Sequence, residues 1–464
     1  MTLSGVRLAG SYRDPKGQVL RVGARVLRTV QPVAREQYAF IRTLMPEAEA
    51  AGFLVETTEL PKDAWPEGTA DAAFVLEHAV VPYVSYPYEW GFAQLQVAAL
   101  HHLDFQIWLL ERGAALSDAT AYNVQFIGAK PVFIDLLSII AYEEGSFWVG
   151  YRQFCEQFLN PLLLRACKGV AHNCWYRGAL EGIATEDLAA LLTMPEKLSP
   201  NVLTHVVLHA RLQRRARENP DAALTRAKGS AKLSRNAYKG MLTGLRAWIA
   251  RLRPRDGGAT TWGEYAAHNS YRSEEAKAKA DVIAEFVRRR APASILDLGC
   301  NAGDYAVVAL EAGASFALGF DFDQVAVDRA FHRAQNLGLA FLPLWLDAAN
   351  ASPNQGWRQA ERDGFAERAR ADAVLALAFE HHLAIGKNIP LAEVVAWIVE
   401  RAPCGLIEFV PKSDPTVQIM LTLREDIFGD YSEESFRAAL EQVAQVVKKT
   451  TVSATGRSLY EYES

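Results

Sequence analysis

Hydrophobic and polar positions change period several times along the chain, and the changes mark its elements. From Tyr12 to Val30 branched apolar residues alternate with Arg and Gly, the two-residue period of a twisted hairpin. Glu36 to Glu49 switches to a helical period, and Phe53 to Thr57 and Phe74 to His78 return to short strand-like runs. The aromatic turn Pro82 to Trp90 leads into Phe92 to Glu111, apolar enough to predict a buried helix on which His101 and His102 pack. From Tyr142 to His209 the pattern is helical, with Trp148, Tyr151, Phe154, Phe158 and Pro161 to Leu164 marking a core. Arg211 to Arg255 is basic and weak in apolar periodicity, which reads as solvated helices and a connector closed by Pro254, Gly257 and Gly258.

The second half reads differently: short apolar runs alternate with amphipathic helices, and several runs end in a carboxylate. A helix over Ser273 to Arg290, with Ser273 as N-cap, precedes the run Ile295–Leu296 and Asp297. The loop Gly299-Cys300-Asn301-Ala302-Gly303 follows, and a helix begins near Asp304. Phe316 to Phe320 ends at Asp321 and Leu342 to Leu346 at Asp347, while Ala373 to Ala378 runs into Phe379, Glu380, His381 and His382. Gly405 to Val410 carries Glu408 inside it, Ser432 to Val447 reads as a helix, and Val446 to Thr451 pairs with Ser458 to Tyr462 around Gly456. Strand and helix in alternation predict an α/β class for this half, beside an α+β amino-terminal half.

The loop carries the chemistry. Gly299 and Gly303 let the backbone approach a ligand that a Cβ would push away, and the helix start offers unpaired N–H groups. Asp321, at the end of the next strand, can accept both hydroxyls of a ribose, and Asp347 a hydrogen bond from an adenine amino group. Asp297-x-Gly299-x-x-x-Gly303 with Asp321 and Asp347 resembles the pattern of class I S-adenosylmethionine-dependent methyltransferases, from about Trp262 to the carboxyl terminus. The resemblance implies a Rossmann-like seven-stranded sheet with an antiparallel last hairpin, and S-adenosylmethionine as cofactor. By position, the loop, with Cys300 and Asn301, would follow the methionine moiety. Asp297 would support the loop or the amino end, Asp321 with Phe322 would hold the ribose, and Asp347 with Ala348 would meet the adenine. Tyr271, with Tyr265, His268 and Asn269, sits in a stretch that often lies across the cofactor in this fold. Cys300 reads as a small packing residue rather than a nucleophile.

His381 and His382 follow the fourth strand, where this fold places residues that face the methyl acceptor. An imidazole titrating near neutrality suits a general base, so one of the two is expected in that role. Glu380 or Glu408 would orient the ring or bind an acceptor amine. No metal is expected in this half, since no second spaced histidine motif accompanies the four residues.

In the amino-terminal half Asp118, Asn123 and Asp135 stand at spacings that resemble the catalytic and metal loops of protein-kinase-like and aminoglycoside-phosphotransferase-like folds. That resemblance implies Asp118 as proton acceptor, with Mg²⁺ and ATP at Asn123 and Asp135. Departures are plain: no Gly-rich phosphate loop, no strand lysine, Lys16 in a turn, Lys62 beside prolines, and Ser117 where the family has His. The expectation is a degenerate kinase-like domain serving substrate recognition. The phrases ALAFEHHLAIGKNIPL, IEFVPKSDP and SDATAYNVQF resemble the methyltransferase group that includes the nodulation host-specificity protein NoeA.

Length and charge frame this reading. At 464 residues the chain exceeds one such domain, and the expected division is 1–210, a basic connector 211–260, and a methyltransferase domain 261–464. A net charge of −5 gives no case for nucleic-acid or membrane binding, and five cysteines without a CxxC pair suit a reducing compartment, so a cytoplasmic protein is expected. The expected activity is methyl transfer to an O or N acceptor on a small-molecule, protein or glycan substrate, and the sequence sets no oligomeric state. The alternatives are a bifunctional kinase-like methyltransferase and a non-catalytic regulator that binds S-adenosylmethionine or a nucleotide.

Overall fold

The computed structural model describes residues 5–219, 233–255, 273–422 and 425–464. The chain divides into two compact units, the first Met1–Phe126, Pro131–Gly257 and Gln355–Arg362, the second Ile127–Lys130, Gly258–Asn354 and Asp363–Ser464.

The first unit opens with an antiparallel sheet in the order β1-β2-β3-β5-β4, from β1 (Val6–Arg7), β2 (Val19–Val22), β3 (Arg25–Val30), β4 (Thr57–Glu59) and β5 (Phe74–His78). Helix α1 (Arg35–Ala50) connects β3 to β4. It buries Tyr38, Ile41, Met45 and Ala48, one stripe at helical spacing, and the Tyr38 ring lies 4.8 Å from Phe74. The strand expected over Phe53 to Thr57 is displaced: Leu54 makes only an isolated bridge to Phe133, and pairing with β5 begins at Thr57. Helix α2 (Phe92–Glu111) is buried over most of its circumference, which is why its sequence shows no polar face. His102 packs against Trp148, Phe154 and Phe158.

After α2 come β6 (Ala114–Leu116), a turn carrying Asp118, the hairpin β7 (Val124–Ile127) and β8 (Lys130–Phe133), and then Asp135. The stretch expected as a connector instead contributes the helix Arg235–Ile249 to this unit. Its buried Tyr238, Leu242, Leu245 and Ile249 form a stripe that the surrounding Arg and Lys residues mask in the sequence. The helix is tied to α2 by Arg246 Nη2 donating to Asp104 (2.8 Å) and by Gln106 Nε2 donating to the Tyr238 hydroxyl (3.0 Å).

The second unit is an α/β fold built on a seven-stranded sheet in the order β12-β11-β10-β13-β14-β16-β15. Its strands are β10 (Ser294–Leu298), β11 (Phe316–Asp321), β12 (Phe341–Trp345), β13 (Ala373–Ala376), β14 (Cys404–Phe409), β15 (Gln445–Thr451) and β16 (Ser458–Glu463). The first five run parallel, while β16 is antiparallel to both β14 and β15. The central strands are buried along their length, as near-continuous apolar runs in a parallel sheet require. The helix Ser273–Arg290 lays Ile283, Phe286 and Val287 against Ile295, Leu375, Leu406 and Leu459. Among the described residues no helix is long and apolar enough to cross a membrane.

The registers place the site. Leu298 stands opposite Phe320 and Ala376, and Asp321 opposite Trp345, so the carboxyl ends of four parallel strands share one edge of the sheet. In open α/β sheets ligands bind at that edge.

Candidate functional site

The loop after β10 is shaped by two glycines in the left-handed region, Gly299 at φ +77° and Gly303 at φ +80°. A Cβ on Gly303 would come within 2.4 Å of the buried Phe341 ring, and one on Gly299 within 3.1 Å of Phe379. Between them Asn301 also adopts positive φ, which its short polar side chain tolerates, and its Oδ1 accepts the Ala302 N–H at 2.7 Å. The result is a tight cradle whose inner surface is backbone.

Asp321 closes this cradle from the neighbouring strand. Its Oδ2 accepts the Asn301 N–H and its Oδ1 the Asp323 N–H, both at 2.8 Å, and each oxygen keeps a further lone pair for a hydroxyl. Asp297 is buried below the loop, and its Oδ2 has no hydrogen-bond partner among the described residues. Burial, then the charge of Asp321, pushes its carboxyl up to about 7. A buried acceptor left without a donor costs free energy unless a ligand supplies one. Cys300 is buried and its thiol is raised well above its usual range by burial and by Asp297, which fits packing and not nucleophilic chemistry.

Asp347 caps the turn it begins, accepting the Ala349 N–H at 3.2 Å, and Ala348 is the first residue of that turn. Phe322 is 57% exposed, with its ring 6.0 Å from Trp345. Tyr271, Tyr265, His268 and Asn269 lie outside the described residues.

The residues after β13 form a second cluster beside the cradle. Ala378 has φ +48°, unusual for a residue with a Cβ, and its N–H donates to Glu408 Oε2 at 2.9 Å. Glu408, fully buried, is held at Oε1 by Lys279 Nζ at 2.6 Å, with Arg457 Nη1 at 3.8 Å. Glu408 thus ties the Ala378 turn to Lys279, while its Oε1 makes an ion pair but no hydrogen bond among the described residues.

Glu380 is also fully buried. Its Oε1 accepts the Val410 N–H (2.9 Å) and the Tyr431 hydroxyl (2.8 Å), and its Oε2 accepts the His381 N–H and faces His381 Nδ1 at 2.9 Å. That arrangement selects the tautomer with the proton on Nδ1 and leaves Nε2 as an acceptor; Nε2 has no partner among the described residues. His382 lies alongside, ring centroids 4.1 Å apart, and is held to about 3 by burial and by the neighbouring His381 and Arg457.

Lys279, Tyr431 and Arg457 were not singled out in the sequence. Lys279 carried a signal: it stands four, seven and eight residues before Ile283, Phe286 and Val287, a charge on the apolar stripe of its helix. A charge in such a position needs a buried partner.

In the first unit Asp118, Asn123 and Asp135 do come together. Asn123 Nδ2 lies 3.3 and 3.4 Å from the Asp118 oxygens and 3.4 Å from Asp135 Oδ2. Asp135 Oδ1 is paired with Arg28 of β3 at 2.7 Å, and Arg28 also reaches Asp14 at 3.1 Å. Burial, then the charge of Asp135, pushes the Asp118 carboxyl up to about 7. A cation from β3 thus stands beside Asp135 even though no strand lysine was found. As oriented, Asn123 turns its donor toward the carboxylates. Among the described residues no group of three or more His, Cys, Asp or Glu side chains is arranged to hold a metal.

No protein-family model matches the chain. Partial structural likeness is found to magnesium protoporphyrin IX methyltransferase (ChlM) from Synechocystis PCC 6803 with bound SAH, at 16% identity and TM-score 0.30, covering 41% of this chain and 84% of that one. It is also found to the bifunctional kinase-methyltransferase WbdD, at 17% identity and TM-score 0.29, covering 41% of this chain and 40% of that one. Over 459 residues, 98% of this chain and 96% of the relative, the sequence is 48% identical to the nodulation protein NoeA of Rhizobium meliloti strain 1021, and the chain belongs to the NoeA family.

Proposed function

We propose that the second unit is a class I S-adenosylmethionine-dependent methyltransferase acting on an O or N acceptor. The observation that carries this reading is the cradle itself: two left-handed glycines, Asp321 bonded to the loop it faces, and the buried Asp297 oxygen that lacks a donor. An α-amino group is the kind of donor that oxygen would take, and a ribose diol suits the lone pairs of Asp321. The cofactor, when bound, supplies a methyl group on a sulfonium, so the protein's share is alignment and proton removal.

Glu380 holds His381 in the tautomer whose Nε2 accepts a proton, and Tyr431 and the Val410 N–H hold Glu380. A base of this kind contributes about 10²- to 10⁴-fold. Glu408, through the Ala378 N–H, fixes the loop that carries the pair, and Phe379 of that loop packs on Gly299. His382, the other candidate beside it, is held to about 3 chiefly by burial and is the weaker base.

The first unit is read as a kinase-like scaffold that recognises the substrate. Support comes from the strand order with α1 inserted before β4 and from the meeting of Asp118, Asn123, Asp135 and Arg28. A bifunctional enzyme that also transfers phosphate is the second reading favoured by that cluster, and it requires phosphorylated product that disappears in Asp118→Asn.

Calorimetry tests the main reading. S-adenosylmethionine binds the full chain with micromolar affinity, and Asp321→Ala weakens it about 100-fold or more, the loss expected for two charge-assisted hydrogen bonds. Absence of binding to the wild-type chain would refute the assignment.

A further inference from the structure

The first unit contains a cavity of about 640 Å³, within the range of small-molecule sites, in which Asp118 stands on one wall. Its lining holds five carboxylates against three cations. A wall with this balance does not attract a bare polyphosphate, which calls for excess positive charge or a metal. Internal pairing sharpens the point. Of the lining cations, Arg13 is engaged by Glu361 at 3.0 Å, and behind the lining Arg28 is shared by Asp14 and Asp135.

What remains on the walls alternates donors with acceptors around aromatic rings. Tyr122 is buried, and its hydroxyl has no hydrogen-bond partner among the described residues. The Arg362 guanidinium lies 4.2 Å from the centre of the Tyr122 ring. Gln157 Oε1 accepts the Ala121 N–H and the Thr120 hydroxyl, which directs its amide toward Glu181 at 3.5 Å.

Trp357 is the notable side chain, 65% exposed on a turn in which Gly356 before it and Arg358 and Gln359 after it all have positive φ. Glu361 pins that turn by accepting the Trp357 N–H at 3.1 Å while pairing with Arg13. A large apolar ring held out toward a polar cavity has no role in packing.

We propose that this cavity binds a neutral polyhydroxylated ligand, a sugar ring or the end of a glycan, with its C–H face on Trp357 and its hydroxyls shared among Asp118, Glu181, Arg362 and the Tyr122 hydroxyl. Sugar hydroxyls both donate and accept, so a lining of carboxylates, amide and guanidinium satisfies them without a net charge on the ligand. An aromatic face takes the apolar side of the ring. Asp118 when ionised accepts a hydrogen bond from a sugar hydroxyl, and when protonated donates one. Four of the lining residues, Gly356, Trp357, Glu361 and Arg362, belong to the one stretch that the carboxyl-terminal half contributes to this unit. As the substrate class for methyl transfer the proposal rests on the methyltransferase reading; as a binding site it stands alone.

The test is saturation-transfer NMR on the full chain with methyl glycosides of glucose, mannose, galactose and fucose, and separately with Mg·ATP. At least one glycoside receives saturation from the wild type, and Trp357→Ala, at an exposed position, weakens its binding about fivefold. Asp118→Asn weakens it as well, and the S-adenosylmethionine affinity of both variants, read by calorimetry, stays at the wild-type value. No signal from any glycoside, an unchanged signal in Trp357→Ala, or Mg·ATP displacing the bound glycoside overturns the proposal. Glycoside binding by a wild-type chain that does not bind S-adenosylmethionine would instead overturn the methyltransferase reading and leave this site in place.

Discussion

Two pairs of aspartates face each other within the two units, and they are stabilised in different ways. Asp297 beside Asp321 and Asp118 beside Asp135 each include one carboxyl pushed to about 7, by burial first and by the neighbouring charge second. The companions differ. Asp321 is held by two backbone N–H groups, Asn301 of the loop after β10 and Asp323 beyond its own strand, while Asp135 is held by the side chain of Arg28 from the small sheet. Backbone donors are fixed by the fold and carry no rotamer entropy, so the Asp321 site persists as long as the strand and loop do. The Asp135 site hangs on one substitutable side chain.

The contrast extends to the ion pairs, where it is open to measurement. Lys279 and Glu408 are 2% and 0% exposed, Arg28 and Asp135 7% and 25%. Lys279→Met leaves Glu408 buried with only the distant Arg457, and we expect a loss of about 3–5 kcal/mol in urea unfolding, largely recovered by the double change Lys279→Met with Glu408→Gln. A loss below about 1 kcal/mol would mean that Glu408 finds water or moves to Arg457. Arg28→Met is expected to cost less, about 2 kcal/mol, because the exposed part of Asp135 can be hydrated when its partner goes. If the two losses come out equal, exposure is not what separates the pairs.

The same difference decides what could be read from the sequence. The loop Gly299 to Gly303, Asp321 and the strands around them were legible because each signal is local: a glycine where φ is positive, a carboxylate at the end of an apolar run. The strand Phe316–Asp321 and the helix Phe92–Glu111 fall where their periodicity placed them. The helix Arg235–Ile249 did not, since its buried stripe is thin and its exposed faces are basic. Glu380 and Glu408 were read as chemical groups, and what the sequence hid is the set of distant residues that hold them, Tyr431 on Glu380 and Lys279 and Arg457 beside Glu408. Contacts of that kind leave no period. Arg28 was hidden for the same reason: it sits in a short apolar strand, and nothing near it in sequence announces Asp14 or Asp135 as its partners.

The last expected effect, confined to the pH range above about 4, is the one that separates function from stability most cleanly. Asp297 has an ordinary carboxyl value of 3.8 and a folded value of about 7, so the folded chain holds the proton more tightly than the unfolded one. Below about pH 4 the group is protonated in both states and costs nothing; as pH rises toward 7 the unfolded chain gives up its proton first, and stability falls. Asp297→Asn removes the titration. Its Tm should lie nearest that of the wild type at about pH 3, and the variant should become steadily the more stable of the two as pH rises to 8. The amide cannot pair with a cationic amino group as the carboxylate does, so its affinity for S-adenosylmethionine should drop about tenfold. A variant that gains stability and keeps full affinity would leave Asp297 with a role in supporting the loop and none in holding the ligand.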